Sequence, residues 1–221
     1  MKLGSSLLFA GAMVCVAGGV AVHAQSANNM SFFITSVGKG DGANLGGLAG
    51  ADAHCAALAK AAGSSKTSWR AYLSATPVQG AGAVDARDRI GSGPWVNAKG
   101  TTIARNVDDL HSAKLTKDML INEKGALVNG AGDTPNTHDI LTGSDSSGRY
   151  LSTGNFDTTC KNWTSNSEGS AMLGHHDGKG PPNATARHFT SWNASHTSRS
   201  CSQPDLVATG GAGLFYCFAS N

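Results

Sequence analysis

The stretch that decides the fold lies at residues 45–63 and reads LGGLAGADAHCAALAKAAG. Its apolar residues recur at steps of three and four, which places them on one face of an α-helix: Leu48, Ala51, Cys55, Leu58 and Ala62. Gly63 stands where a helix commonly ends in a C-terminal cap. The spacing therefore predicts a helix over 48–62 that carries Cys55 on its buried face.

Runs of β-branched and aromatic residues on either side of this helix predict strands. They lie at 31–37, 69–73, 140–143 and 214–219. Shorter helical turns are predicted at 85–90 and 115–120. Residues 145–209 are dominated by Ser, Gly, Asn, Thr and His, and so long a segment with weak periodicity is typical of a functional or disulfide-linked loop region.

Composition and the N-terminal segment limit the function classes. The chain carries 17 Lys+Arg against 15 Asp+Glu, a net charge of +2. So small a positive charge does not indicate binding to nucleic acid.

The N-terminal segment indicates export. Residues 7–22 contain no charge and are followed by His23-Ala24, a pattern typical of a secretory signal peptide. A membrane anchor is the alternative, but it needs about 20 apolar residues and glycines dilute this run. We expect a signal peptide over 1–24, a single domain over 25–221, a secreted or periplasmic location and no membrane insertion.

Four cysteines remain after the predicted signal peptide: Cys55, Cys160, Cys201 and Cys217. An even number in an exported protein predicts two disulfides. Four cysteines allow three connectivities, and the spacing alone does not choose among them. The absence of a C-x-x-C pair disfavours thioredoxin-like and zinc-ribbon chemistry.

Common catalytic motifs are missing from the sequence. It contains no G-x-S-x-G elbow, no H-E-x-x-H helix, no Walker loop and no G-x-G-x-x-G turn. We therefore predict a binding protein and not an enzyme. Catalytic residues can also be scattered along a chain without forming a local motif, so a metal-dependent hydrolase is kept as a weaker hypothesis.

Histidines concentrate late in the chain, where four of the eight fall between residues 175 and 196. The polar cluster there consists of His175, His176, Asp177, His188 and His196. Imidazole is a frequent ligand of zinc and copper, and a nearby carboxylate completes many such sites. The alternative is that loop histidines bond backbone carbonyls or lie in solvent. In an extended segment, His175 and His176 would also point to opposite sides.

Two tryptophans of the loop region stand beside asparagines, as Asn162-Trp163 and Trp192-Asn193. An aromatic face flanked by amides suits a sugar, which stacks on the ring while its hydroxyls find polar partners. The alternative is that both tryptophans pack in the core beneath the loops.

Several stretches together resemble the C-type-lectin-like fold, and most closely a group of secreted bacterial proteins with endostatin-like sequences. The matching stretches are 45–55, 69–74, 86–91, 139–143, 159–164, 174–177 and 215–217. The resemblance implies an α+β domain in which short helices pack on twisted antiparallel strands beside a long disulfide-linked loop region. It also implies the pairs Cys55–Cys217 and Cys160–Cys201, and carbohydrate binding.

A standard calcium-bridged sugar site of that superfamily is not expected here. Gln203-Pro204-Asp205 resembles its calcium-binding triplet, but the triplet follows Cys201, the third cysteine, when it should precede the second. Trp192-Asn193-Ala194 lacks the carboxylate of the family's second motif, and calcium needs hard oxygen ligands. We expect no cofactor; if Ca²⁺ or Zn²⁺ binds, the candidate ligands are His175, His176, Asp177 and Asp205.

The function predicted is binding of glycans or cell-surface carbohydrate through the loop face. The candidate ligand-binding residues are Trp163, His175, His176, Asp177, Trp192, Asn193 and His196. Adhesion to another protein through the same face is the alternative, because exposed aromatics and turns serve both kinds of partner.

Overall fold

The computed structural model describes residues 1, 28–112, 114–152, 154, 156–180 and 190–220. Beyond Met1, the predicted signal peptide lies outside the described residues, and so does His188. The helices are α1 (Gly47–Ala61), α2 (Ala86–Arg89), α3 (Val107–Ser112), α4 (Cys160–Trp163) and α5 (Gln203–Ala208). The strands are β1 (Phe32–Ile34), β2 (Trp69–Ala71), β3 (Trp95–Val96), β4 (Thr102–Ala104), β5 (Asp139–Leu141), β6 (Met172–His175), β7 (His196–Thr197) and β8 (Gly211–Ala219).

The elements predicted from periodicity are confirmed in α1, β1, β2, β5 and β8, and α2 forms the turn expected at 85–90. Residues 115–120 form a hydrogen-bonded turn in which Leu120 N donates to Thr116 O, and no helix. The description of 145–209 as a loop region was incomplete, because β6, β7 and α5 lie within it. These elements are short and rich in polar residues, so their sequence carries no clear period.

The main sheet is organised around β8, the longest strand. Strands follow the order β1-β8-β5-β6-β7, with β2 also paired to β8, while β3 and β4 form a separate pair. β8 runs antiparallel to β1 and β2 and parallel to β5. The first and last strands are therefore hydrogen-bonded neighbours, and the chain is a mixed α+β domain.

Alternate residues of β1 and β8 pack into two separate cores, one on each face of the sheet. Phe33 and Phe215 join the core beneath α1, whereas Phe32, Tyr216 and Phe218 join the opposite core. Side chains of a strand alternate between faces, so a sheet buried on both sides needs continuous apolar runs. This is why residues 214–219 are apolar without interruption.

Both disulfides have the connectivity that the resemblance implied. Cys55 of α1 is bonded to Cys217 of β8, and Cys160 is bonded to Cys201. The first bond fixes α1 on the sheet, as expected for a cysteine on the buried face of the helix. Disulfides of this kind persist in oxidising compartments, which indicates an extracellular or periplasmic location. Within the described ranges, no helix has the length and apolar character needed to cross a membrane.

The short element α4 winds in the left-handed sense. Its four residues have φ angles of 46°, 54°, 54° and 65°, although none is glycine. This conformation costs about 1–2 kcal/mol per residue. It is held by surrounding contacts: Thr159 Oγ1 accepts from Asn162 N at 3.2 Å, Asn162 Oδ1 accepts from Thr76 N at 2.7 Å, and Cys160 is in a disulfide.

Candidate functional site

Four polar side chains converge where β5, β6 and β7 lie side by side: His138, Asp139, His175 and His196, named here the His–Asp centre. In the sheet register Asp139 is paired with His175, and His196 is paired with Leu173. Residues two apart on a strand share a face, so His175 and His196 are diagonal neighbours on adjacent strands. Pairing of the three strands therefore brings together residues that are far apart in the sequence.

Three imidazole nitrogens of the centre surround one carboxylate oxygen. His138 Nε2 and His175 Nε2 each lie 3.2 Å from Asp139 Oδ1, and His196 Nε2 lies 3.5 Å from it. The Asp139 side chain is 1% exposed and that of His196 is 33% exposed. The centre is thus deeply buried at the carboxylate and open to solvent at His196.

The Asp139 carboxylate is not hydrogen-bonded in the ordinary way. Neither of its oxygens has a hydrogen-bond partner among the residues that the structure describes, although both oxygens are buried. Burial raises the pKa of this carboxyl, but the neighbouring His175 and His196 imidazoles lower it more, so the net pKa is below its ordinary value. The same proximity to Asp139 raises the pKa of His196.

The outer nitrogens of two of these histidines are held by fixed acceptors. His138 Nδ1 lies 3.4 Å from Asp177 Oδ1, and His196 Nδ1 lies 3.1 Å from Thr197 O. The Asp177 carboxylate also accepts from Ala131 N at 2.7 Å and Lys179 N at 3.0 Å. Burial raises the pKa of Asp177, but these donors outweigh it and hold the pKa well below its usual range.

Beside the centre lies a cleft with a cavity volume of about 960 Å³. Four of the seven predicted binding residues line the cleft, namely His175, Asp177, Trp192 and Asn193, and a fifth, His196, belongs to the His–Asp centre. His175 is also a member of the His–Asp centre. The lining also includes the apolar Leu115 and the exposed polar residues Ser112, Lys114, Thr116 and Ser146.

Glycine at position 174 allows the cleft wall to form. A Cβ atom on Gly174 would lie 1.9 Å from the carbonyl oxygen of Trp192, so no other residue fits without displacing the backbone. His175 N donates to Ser191 O at 2.8 Å on the same side. The segment 191–193 is therefore pressed against β6, next to the His–Asp centre.

Trp192 and Asn193 support the cleft wall from within. Trp192 is 8% exposed, and its ring packs against Tyr72 and Tyr216 at centroid distances of 4.9 and 5.1 Å. Asn193 Nδ2 donates to Tyr72 Oη at 2.9 Å and to Asp145 O at 3.0 Å. The donors of the Asn193 amide are therefore engaged inside the protein in this conformation, although the residue lines the cleft.

Two further predicted ligand contacts, Trp163 and His176, are not available at the cleft. Trp163 is fully buried in the core beneath α1 and donates from Nε1 to Ser74 O at 2.8 Å. His176 is buried, and its Nε2 lies 3.0 Å from Asn129 O. It follows β6, so it points away from His175, and burial lowers its pKa.

The Asp205 carboxylate, a predicted metal-ligand candidate, belongs to the beginning of α5. It accepts from Ser200 Oγ at 2.6 Å and forms an exposed ion pair with Arg199 at 3.5 Å. Gln203-Pro204-Asp205 is thus a helix start that follows the N-cap Ser202. Neither Asp205 nor His176 is part of the His–Asp centre.

Sequence analysis missed His138 and Asp139 as site residues. The sequence offers one signal, which is the charged Asp139 directly before the apolar Ile140 and Leu141 of β5, at a position where an apolar residue is usual. Their role depends on the pairing of β5 with β6, which local patterns do not contain.

Fold and site together define a class: an α+β domain with two disulfides and a buried histidine–aspartate centre beside a cleft with a polar rim. Residues 39–179 match a family profile described as "Protein of unknown function (DUF1554)", and the chain belongs to this family. The match contains His138, Asp139 and His175 and ends before His196. A comparison with curated proteins gave no match.

Proposed function

We propose that this chain is an exported carbohydrate-binding protein with a C-type-lectin-like fold, and that the sugar binds in the cleft next to the His–Asp centre. The connectivity of the two disulfides supports the proposed fold, because it is the one that the resemblance implied. Pairing of the first and last strands supports it as well.

The observation that carries the functional proposal is the cleft itself. Its volume of about 960 Å³ is within the range of ligand-binding pockets, which is roughly 300–1,000 Å³. The rim offers hydroxyl groups of Ser112, Thr116 and Ser146, together with the amine of Lys114. Such a rim suits a neutral ligand with many hydroxyl groups, because each hydroxyl needs a hydrogen-bond partner once it leaves water.

The binding residues of the proposal therefore shift from the buried aromatics to the rim. Trp192 contributes an apolar edge and the shape of the wall, while the rim side chains make the polar contacts. We propose binding without turnover and without a standard calcium site.

A glycan array with the exported protein, in the presence and absence of EDTA, tests this function. We expect retention of one class of glycan in both conditions. The variant Lys114→Ala should weaken binding about tenfold, since it removes one charged hydrogen-bond donor, and Ser146→Trp should abolish binding by filling the cleft. Lys60→Ala, in the last turn of α1, is the matched control and should bind as the unaltered protein does.

Two outcomes would contradict the proposal. Glycan binding that both cleft variants leave unchanged would place the site elsewhere. An array without any bound glycan, combined with capture of a protein that sugars do not displace, would favour the alternative of adhesion to a protein.

A further inference from the structure

We propose that His138, Asp139 and His175 form a binding site for a divalent transition-metal ion of the zinc class, and that His196, whose partly exposed ring lies 3.5 Å from Asp139 Oδ1, turns toward the ion when it binds. This inference does not rest on carbohydrate binding. Of the four candidate ligands named from the sequence it keeps His175, and it adds His138, Asp139 and His196, the last a member of the predicted histidine cluster.

The spacing of the ligand atoms of His138, Asp139 and His175 suits a single metal ion, whereas His196 lies outside this close group. Zinc binds imidazole nitrogen and carboxylate oxygen at roughly 2.0–2.2 Å, which puts neighbouring ligand atoms about 3.3 Å apart. The three Nε2–Oδ1 distances in the centre are 3.2, 3.2 and 3.5 Å. Among the described residues, His138, Asp139 and His175 are the one group of three such side chains whose ligand atoms all lie within 4.8 Å of one another.

The hydrogen bonds of the outer ring nitrogens leave Nε2 directed into the centre. Asp177 Oδ1 and Thr197 O are acceptors, so His138 and His196 each donate to them from Nδ1. Nε2 of each ring then faces Asp139 Oδ1, and an imidazole that donates from Nδ1 binds a metal ion through Nε2.

The burial of the Asp139 carboxylate is the second geometric argument. Its oxygens are buried and have no hydrogen-bond partner among the described residues, and the His138 and His175 rings stack beside it at a centroid distance of 4.2 Å. Buried charges in proteins are usually paired or bound to a metal ion, and a metal ion would bind a carboxylate oxygen directly.

The contacts outside the centre match those of metal-binding histidines. Such histidines usually donate their second nitrogen to a carboxylate or a backbone carbonyl, which fixes the ring and the tautomer. Asp177 and Thr197 supply these two kinds of acceptor. Asp177, predicted as a direct ligand, is thus assigned the role of positioning His138.

The donor set selects the class of ion. Imidazole nitrogens suit zinc and its neighbours in the transition series. Calcium takes 6–8 oxygen ligands, and the centre contains a single carboxylate. We therefore expect Zn²⁺ to bind and Ca²⁺ not to compete with it.

Metal analysis and titration of the exported protein, purified without a histidine tag, test the site. After EDTA treatment and equilibration with zinc, we expect one Zn²⁺ per chain and a higher melting temperature. A chromophoric chelator gives the Kd. Asp139→Asn and His175→Ala should each weaken zinc binding at least a hundredfold, and His196→Ala about tenfold. His54→Ala, a histidine of α1, is the control and should leave the Kd unchanged.

Folding of each variant is checked in EDTA by near-ultraviolet circular dichroism and by thiol content. His196 is partly exposed, so His196→Ala is expected to fold even if the buried substitutions do not. With this variant, Co²⁺ substitution reports directly on the ligands through a change in the visible absorption band. Less than stoichiometric zinc in the unaltered protein, zinc binding unaffected by His175→Ala and His196→Ala, or displacement of zinc by calcium would each overturn the proposal.

Discussion

Two regions of the molecule treat buried polar groups differently. In the disulfide-linked end, formed by β1, α1, β2 and β8, the described residues leave no buried side-chain polar atom without a partner. In the His–Asp centre, both oxygens of a buried carboxylate lack hydrogen bonds among the described residues. Burying an unsatisfied polar group is costly, so proteins rarely retain one without a functional reason. The first region is organised for stability, and the second has the properties of a site.

The largest expected effect comes from the disulfide that closes the first region. The bond Cys55–Cys217 links residues 162 positions apart, whereas Cys160–Cys201 links residues 41 apart. In the chain-entropy model, replacing both cysteines by alanine should cost about 5 kcal/mol for the first bond and about 4 kcal/mol for the second. Urea unfolding of the two double variants measures this. A greater loss for the second pair would show that the loop region, and not the terminal strands, limits stability.

The second prediction compares one variant from each region. A substitution in the first region should lower stability and leave the response to zinc, whereas a substitution in the second should do the reverse. Phe33→Ala, in the core beneath α1, should lower the free energy of unfolding by about 4 kcal/mol, because it removes a fully buried ring and leaves a cavity. It should still be stabilised by zinc, by about 2.7 kcal/mol at a hundredfold excess over the Kd. Asp139→Asn should lose the zinc response and keep its stability in EDTA. Melting curves with and without zinc measure both effects. If both variants lost both stability and the response to zinc, the two regions would not differ in the way proposed.

The smallest effect concerns the left-handed element α4. Lys161 has φ 54° and an exposed side chain, so Lys161→Gly should relieve the backbone penalty and stabilise the protein by about 1 kcal/mol. The lost surface ion pair with Glu168 contributes little. Lys60→Gly, in the right-handed α1, should instead destabilise by about 1 kcal/mol. The midpoints of urea unfolding compare Lys161→Gly with Lys60→Gly. If both variants were stabilised, or both destabilised, the assignment of backbone strain to α4 would be contradicted.

The sequence predicts the disulfide-linked end far better than the site. The stripe through Cys55 and the apolar runs of β1 and β8 depend on local periodicity, which a single chain displays. The two cysteine pairs came from a resemblance and not from spacing. The sequence left open whether Trp163 contacts a ligand or packs in the core, because an aromatic residue in a polar segment gives no sign of its burial; in the structure it is fully buried.

Two of the four residues of the His–Asp centre were predicted from the sequence, and the other two were missed for a physical reason. His175 and His196 stand out in composition, but Asp139 acquires its role through the register between β5 and β6. Register depends on which strands meet, and that is decided by the whole fold. The left-handed turn of α4 cannot be predicted from the sequence either, because tertiary contacts impose this conformation on residues that do not favour it.

The pairing of the first and last strands determines how the domain would respond to a pulling force. Ala219 N donates to Ser31 O at 2.8 Å, so tension applied at both ends would separate β1 from β8 one hydrogen bond at a time. Extension would then stop at the covalent bond between Cys55 and Cys217. All residues between these two cysteines, the His–Asp centre and the cleft included, lie inside the closed loop. As long as that disulfide is intact, the site would carry no tension, even when the protein is held by its ends.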